Sequence, residues 1–269
     1  MSFLVPPEAR SWVTVAPDSP FPIQNLPFGL LAPRGLQASL CVAIGDYALD
    51  LTALRNAGYL VRAHYPVLDS FAEFTPLELS ELRKLLFDLL QHENSTLAGD
   101  LETRARAFVP LHEARLLLPI SPPGFVDFYS GIHHAANVGK MFRPDGEPLL
   151  PNYRHLPVAY NGRSNSVVVS GTEITRPAGQ TRAPGSDLPT FGPTAELDFE
   201  LEVGFYVGAP TGMGEVVPIA EAADHILGFV LVNDWSARDL QRWEYQPLGP
   251  MLAKSFATSV SPWIVLPDA

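Results

Sequence analysis

The stretch Glu196-Leu197-Asp198-Phe199-Glu200-Leu201-Glu202-Val203 alternates acidic and apolar residues without a break. Strict alternation is the pattern of a half-buried strand, in which residues i and i+2 share a face and lie about 6.6 Å apart. Carboxylates crowded on one face, with no Lys or Arg between them, repel one another, and dry surroundings raise their pKa values. Two arrangements answer that repulsion: a solvated outer face, or a hard cation held by oxygen atoms alone. Without His or Cys in the stretch, such a cation is Ca²⁺ or Mg²⁺ rather than zinc or copper.

Other segments offer polar groups of matching chemistry. Ile226 to Val232 is a continuous apolar run, hence a buried strand, and it delivers Asn233 and Asp234 at its end. Asp234 could be another carboxylate ligand or the cap of the next helix, where Ser236 and Asp239 already read as a capping box. In that helix, 236–245, Arg238, Gln241, Arg242 and Tyr245 share a face that could hold an anion or simply meet solvent. Lys254 follows in an apolar setting, either as part of the site or snorkelling to water. Asp127 and His134 are seven residues apart, so a helix over 126–138 places them on one face about 10 Å apart along its axis. Asp127 could then touch a metal while His134 moves a proton, and neighbouring His133 would face elsewhere. Arg143, beside the turn Pro144-Asp145-Gly146, could pair a carboxylate or lie on the surface.

The elements that must position these groups follow from composition and punctuation. The chain has 269 residues, with 18 Lys plus Arg against 29 Asp plus Glu, a formal net charge of −11. That balance leaves no basic surplus to neutralise phosphates and argues against a nucleic-acid partner. With 46% hydrophobic and 17% charged residues the chain reads as globular, not disordered. Cys41 is the only cysteine, which excludes an internal disulfide and a Cys-based zinc site and marks Cys41 as a small buried hydrophobe. No apolar run reaches the roughly 18 residues of a membrane span. Residues 1–20 carry four prolines and no basic segment before an apolar core, so no secretory signal is expected, and an intracellular, cytoplasmic protein is.

Residues 12–53 read as short strands of a small β unit, punctuated by Gly29, Pro33, Gly35 and Gly45-Asp46. Thr75, Pro76 and Glu78 open a helix with a capping box, Leu79, Leu82, Leu86, Leu89 and Leu90 form its stripe, and Asn94 is the expected stop. A second amphipathic helix is expected over 95–108, with Leu97, Leu101, Ala105 and Phe108 on one side. The proline break at 119–123 suggests two domains, 1–118 and 119–269. The later chain is strand-rich at 166–170, 197–207, 226–232 and 263–266. The expected class is mainly β with helical insertions, α+β.

Taken together, these stretches resemble the fumarylacetoacetase (fumarylacetoacetate hydrolase) family. The resemblance rests on Asp127-Phe128-Tyr129 through His134, Asn137-Val138-Gly139, Met141-Phe142-Arg143 and Tyr160-Asn161-Gly162-Arg163. It continues through Glu200-Leu201-Glu202, Asn233-Asp234-Trp235-Ser236-Ala237-Arg238-Asp239, Trp243-Glu244-Tyr245, Lys254-Ser255-Phe256 and Ser261-Pro262-Trp263. It implies an N-terminal SH3-like barrel followed by a mixed β-roll catalytic domain, here incomplete at its C-terminal side. It implies Ca²⁺ held by Asp127, Glu200, Glu202 and Asp234, and Mg²⁺ or a monovalent cation near Lys254 and Thr258. It implies His134 as general base, Arg238, Gln241 and Lys254 as charge-stabilising groups, and Tyr129, Arg143, Tyr160, Gln241 and Tyr245 around a small diketo-acid substrate. Glu196 and Asp198 match no ligand of the family. The implied reaction is hydrolysis of 4-fumarylacetoacetate to fumarate and acetoacetate, the last step of tyrosine and phenylalanine degradation, by a homodimer.

Chains of the family continue beyond Ser-Pro-Trp, carrying further strands, a glutamate that orients the histidine and a threonine that binds substrate. From this the polypeptide of 1–269 is expected to be poorly stable and weakly active or inactive. Two alternatives are a hydrolase, decarboxylase or isomerase of another oxo-acid, and a non-catalytic product that only binds metal or a partner chain.

Overall fold

The computed structural model describes residues 3–32, 37–60 and 68–269, so Pro33 and Gly35 lie outside the described residues. The described chain forms two compact units. One comprises Met1–Ile120, Val203–Leu231 and Val260–Ala269; the other comprises Ser121–Glu202 and Val232–Ser259. It is a mixed architecture of sheets and helices.

The first unit holds an antiparallel sheet, β1 (Phe28–Leu31), β2 (Ser39–Ile44), β3 (Tyr47–Asp50) and β4 (Phe108–Pro110), ordered β1-β2-β3-β4. Every residue of β2 is buried, as expected of a strand covered on both faces. Ile44 pairs with Tyr47 across the two-residue turn Gly45-Asp46. Gly45 takes φ +54°, and a Cβ there would lie 2.7 Å from the Thr14 carbonyl oxygen, so the turn demands glycine. Cys41 is fully buried among Leu31, Ala48 and Val109, and burial pushes its thiol far above the ordinary range.

Asp50 caps α1 (Leu51–Asn56) by accepting from the Thr52 and Ala53 amides. The helix α2 spans Pro76–Leu90 and carries the expected capping box between Thr75 and Glu78. Replacing Thr75 by Ala is expected to destabilise the protein by about 1 kcal/mol, read as a lowered denaturation midpoint with an unchanged m-value. Beyond α2 the sequence expectation needs correction. The cap is Gln91, and Asn94 instead starts α3 (Ser95–Gly99) by accepting from the Thr96 amide. The single helix over 95–108 is two: Asp100 accepts from the Thr103 amide and hydroxyl and opens α4 (Leu101–Ala107). Asn and Asp offer the backbone a local acceptor, which favours a new start over continuation. Leu101 is accordingly 71% exposed rather than part of an apolar stripe.

Arg83, on the buried side of α2, is wholly inaccessible to water. Its guanidinium donates to the carbonyls of Phe3, Gln24, Asn25 and Asp268, and one nitrogen lies 3.8 Å from the Asp268 carboxylate. Ser80 donates its hydroxyl to the same carboxylate at 2.5 Å, while Asp268 Oδ1 has no hydrogen bond. Ser80→Ala is therefore expected to cost about 1–3 kcal/mol of folding stability, because a buried carboxylate loses a hydroxyl donor. Equilibrium urea denaturation checks this. The expected strand over 263–266 is reduced to single bridges, Phe28 with Ile264 and Phe229 with Val265.

In the second unit, β5 (Val126–Phe128) precedes α5 (Ile132–Phe142), and β6 (Ala159–Asn161) pairs antiparallel with β5, Tyr160 opposite Asp127. The expected helix over 126–138 thus begins six residues later, because Ser130-Gly131 separates a β-branched and aromatic run from the helix. Asp127 and His134 share no helix face. Next come β7 (Val167–Val169), the hairpin of β8 (Ala178–Thr181) and β9 (Thr190–Pro193), β10 (Leu197–Asp198) and β11 (Leu201–Val207). Then follow β12 (Ile226–Asp234), β13 (Ser236–Ala237), α6 (Arg238–Glu244), α7 (Leu252–Ser255) and β14 (Thr258–Val260), with most of β11 and β12 counted in the first unit.

Two further corrections bear on the site. The acidic strand breaks after Asp198, whose Oδ1 accepts the Phe199 amide, and the Glu200 amide turns to the Asn233 side chain at 3.2 Å. The four acids therefore do not form one even face. The helix expected over 236–245 starts only at Arg238, since Ser236 and Ala237 pair with Asp198 and Leu197. Its supposed capping box is absent: Ser236 donates to the Asp234 carbonyl, and Asp239 accepts from Thr194 and the Ala195 amide. Among the described residues no helix is long and apolar enough to cross a membrane.

Candidate active site

All the groups below belong to the second unit. Strand β12 ends in Asp234, which is completely buried and whose amide donates to the Glu200 carbonyl at 3.1 Å. Its Oδ1 accepts the Thr258 hydroxyl at 3.0 Å, and its Oδ2 accepts the Tyr160 hydroxyl and lies 3.1 Å from Lys254 Nζ. Glu200, 8% exposed, receives Lys254 Nζ on one oxygen and Arg238 Nη1 on the other at 2.7 Å. The same Oε1 lies 3.5 Å from His134 Nε2. One carboxylate oxygen from each of Asp127, Glu200 and Asp234 lies within 4.8 Å of the others, a trio drawn from three separate segments.

The electrostatics of the acids differ sharply. Burial would raise Glu200, but the bond from His134 and the charges of Lys254 and Arg238 overrule it and hold the carboxyl far below its usual range. Asp127 is pushed up to about 6, by burial first and then by the charge of Asp234. Glu202 stands outside the trio but feels it: burial and the charges of Asp127, Glu200 and Asp234 push it up to about 8. Burial and the charges of Asp234 and Asp127 drive the Tyr160 phenol well above its ordinary range. The two side-chain cations are drawn to Glu200 and Asp234, which leaves Asp127 and Glu202 only partly compensated.

The remaining candidates surround this cluster. Tyr129 meets the His134 ring edge-on at 5.8 Å and donates its hydroxyl to the Ala135 carbonyl at 3.2 Å. Burial pushes its phenol up to about 12 although the Arg143 charge opposes that. Arg143 Nη2 donates to the Pro148 carbonyl at 2.6 Å, and Tyr245 packs on Phe142 at 5.2 Å between ring centroids. Gln241 accepts from Arg238 Nη1 at 2.9 Å. His133 is exposed.

The chain of contacts also includes residues that sequence reasoning left without a role. Asp198 pairs with Arg238 Nε at 2.9 Å, and Glu196 with Arg242 at 2.8 Å. Glu244 accepts the Met251 and Ala253 amides at 2.8 and 2.7 Å and so ties down the start of α7, which carries Lys254. The alternating acids marked Glu196 and Asp198, but no spacing rule predicts partners 40 or more positions away.

Against known families, the Fumarylacetoacetate (FAA) hydrolase C-terminal model matches residues 125–269, and the Fumarylacetoacetase N-terminal model matches residues 24–119. The chain belongs to the fumarylacetoacetate hydrolase family. It is 48% identical over 267 residues to the fumarylacetoacetase of Bos taurus, covering 96% of this chain and 64% of that protein. It is 46% identical over 269 residues to that of Caenorhabditis elegans, covering 97% of this chain and 64% of that protein. The chain thus spans 64% of the length of these curated relatives. The crystal structure of Cg1458 with inhibitor matches with a TM-score of 0.50 at 17% identity, covering 90% of this chain and 66% of that one, a likeness of fold alone.

Members of the fumarylacetoacetate hydrolase family imply a bound metal, and the donor chemistry fits one. The trio offers only carboxylate oxygens, the ligands of hard cations. The raised acids Asp127 and Glu202 are what a divalent ion beside them would lower again.

Proposed function

We propose that the chain carries the hydrolytic site for 4-fumarylacetoacetate, splitting a carbon–carbon bond to give fumarate and acetoacetate. The observation that carries this reading is the Asp127, Glu200 and Asp234 trio with His134 Nε2 3.5 Å from Glu200. Asp127, Glu200, Glu202 and Asp234 would hold Ca²⁺, with Mg²⁺ or a monovalent cation beside Lys254 and Thr258. A bound divalent cation supplies Lewis acidity that eases build-up of negative charge on a 1,3-dioxygen unit.

The chain's own residues do the rest. His134 takes a proton from water as the water attacks a carbonyl carbon, and collapse of the resulting oxyanion breaks the carbon–carbon bond and returns the proton to the departing carbon. Arg238 and Lys254, held at Glu200, and the amide NH₂ of Gln241 stabilise the oxyanion that forms. Tyr129, Tyr160, Arg143 and Tyr245 orient the substrate and its carboxylates. In the same reading, 1–118 forms an SH3-like barrel domain built on β1–β4 and 119–269 the catalytic domain. The protein works in the cytoplasm as a homodimer in tyrosine and phenylalanine degradation.

Titration calorimetry with Ca²⁺, paired with a turnover assay on 4-fumarylacetoacetate beside acylpyruvates, tests the proposal. Calcium binding with preferred turnover of 4-fumarylacetoacetate supports it. Preferred turnover of an acylpyruvate moves the substrate to another oxo-acid, and binding without any turnover leaves a metal-binding product only.

A further inference from the structure

We propose that Asp198 is the positioning residue that holds the Arg238 guanidinium against Glu200. The inference rests on the reading of Arg238 as a charge-stabilising group, and it concerns an acid that the family resemblance leaves without a role.

Three observations converge on it. Asp198 Oδ2 accepts from Arg238 Nε at 2.9 Å, while Nη1 of the same guanidinium meets Glu200 Oε1 at 2.7 Å and Gln241 Oε1 at 2.9 Å. The planar fork is thereby held at both ends, and no hydrogen bond among the described residues engages Nη2. A guanidinium held at Nη1 alone could swing about that nitrogen, whereas a second anchor on Nε fixes its plane.

The backbone prearranges the pair. Asp198 lies opposite Ser236 where β10 meets β13, and the Arg238 amide donates to the Glu196 carbonyl at 2.9 Å. The other oxygen of Asp198 accepts the Phe199 amide at 2.9 Å, at the break that turns Glu200 toward the trio. One half-exposed carboxylate therefore sets both Arg238 and the turn that leads into Glu200.

The neighbouring pair shows what a merely solvated acid looks like. Glu196 binds Arg242, and both of those side chains are about half exposed and touch none of the trio. Removing either acid deletes one negative charge at nearly the same distance along the chain, but only Asp198 is bonded to a group that contacts Glu200. Without Asp198, Nε loses its anchor and the guanidinium plane is free to turn about Nη1, so that Glu200 is no longer held in one orientation toward a cation.

The test compares Asp198→Asn, Asp198→Glu and Glu196→Gln in the chain of 269 residues. Asn is isosteric and can still accept the Phe199 amide, so folding should be kept. Calcium affinity by calorimetry is expected to fall about 10-fold in Asp198→Asn, the usual cost of losing a partner that orients a ligand. It should return to within about threefold of wild type in Asp198→Glu and stay there in Glu196→Gln. Independently of any metal, the ¹⁵N-detected Nε–H signal of Arg238, assigned by its loss in Arg238→Lys, should be protected from water exchange in wild type and Glu196→Gln. It should exchange fast in Asp198→Asn. If the wild-type chain binds no calcium, the metal reading fails while the arginine signal still decides the role of Asp198. Equal protection in wild type and Asp198→Asn, or equal affinity losses in Asp198→Asn and Glu196→Gln, would overturn the proposal.

Discussion

Replacing His134 by Gln is expected to lower turnover of 4-fumarylacetoacetate by about 10²- to 10⁴-fold, the range lost with a positioned general base. Gln can still reach toward Glu200 but cannot take a proton from water. His134 brings its Nε2 3.5 Å from Glu200 of the carboxylate trio, with its ring set edge-on against Tyr129. It is not itself one of the three carboxylates, and Gln keeps a donor toward Glu200, so calcium affinity should fall far less than turnover. Steady-state kinetics and calorimetry on the same preparation separate the two. Turnover that survives the substitution within threefold would place the base elsewhere.

The double substitution Asp127→Asn with Glu202→Gln should act in opposite directions with and without metal. In ion-free buffer the two acids have folded-state pKa values of about 6 and about 8. Both lie above the ordinary carboxylate values of about 4, so the folded state favours their protonated forms. Their contribution to stability is fully present below about pH 4 and is lost as pH rises through the folded values toward 8. The double variant should therefore match wild type at pH 4 and exceed it in melting temperature at pH 8. With Ca²⁺ at a hundredfold excess over its Kd, wild type should gain about 2.7 kcal/mol by linkage and the variant almost nothing. Thermal melts at both pH values, with and without calcium, check both signs. A wild type whose stability does not fall between pH 4 and 8 relative to the variant would refute the incomplete compensation of these acids.

The sign reversal has a simple origin. Lys254 and Arg238 are both committed to Glu200, and Lys254 also to Asp234. The Lys254 charge also lowers Asp127 and Glu202, but burial and the neighbouring acids raise them by more. A buried site with more acids than cations is destabilising for the empty chain and favourable for a bound divalent ion, so stability is exchanged for affinity.

Much of this was legible in the residues themselves. The α2 capping box, the buried β2 run and the Gly45-Asp46 turn follow from local chemistry, where partners are within four residues. Local rules also located the buried strand that ends in Asp234 and the lone buried Cys41. They failed where two local preferences competed: Asn94 and Asp100 each started a helix instead of ending or crossing one, and Asp198 broke the strand it alternated through. What only the tertiary structure decided is the pairing across distance. Asp127 meets Asp234 and Glu200 because β5, β6 and β12 converge, and Arg238 meets Asp198 because β10 pairs with β13. Charges carry no range of their own along the chain, so a run of acids reads alike whether it faces water, arginines or a cation. The sequence determined which groups exist and which local elements bear them, and only packing, by excluding water and choosing neighbours, determined which acids are compensated and which are left for a metal.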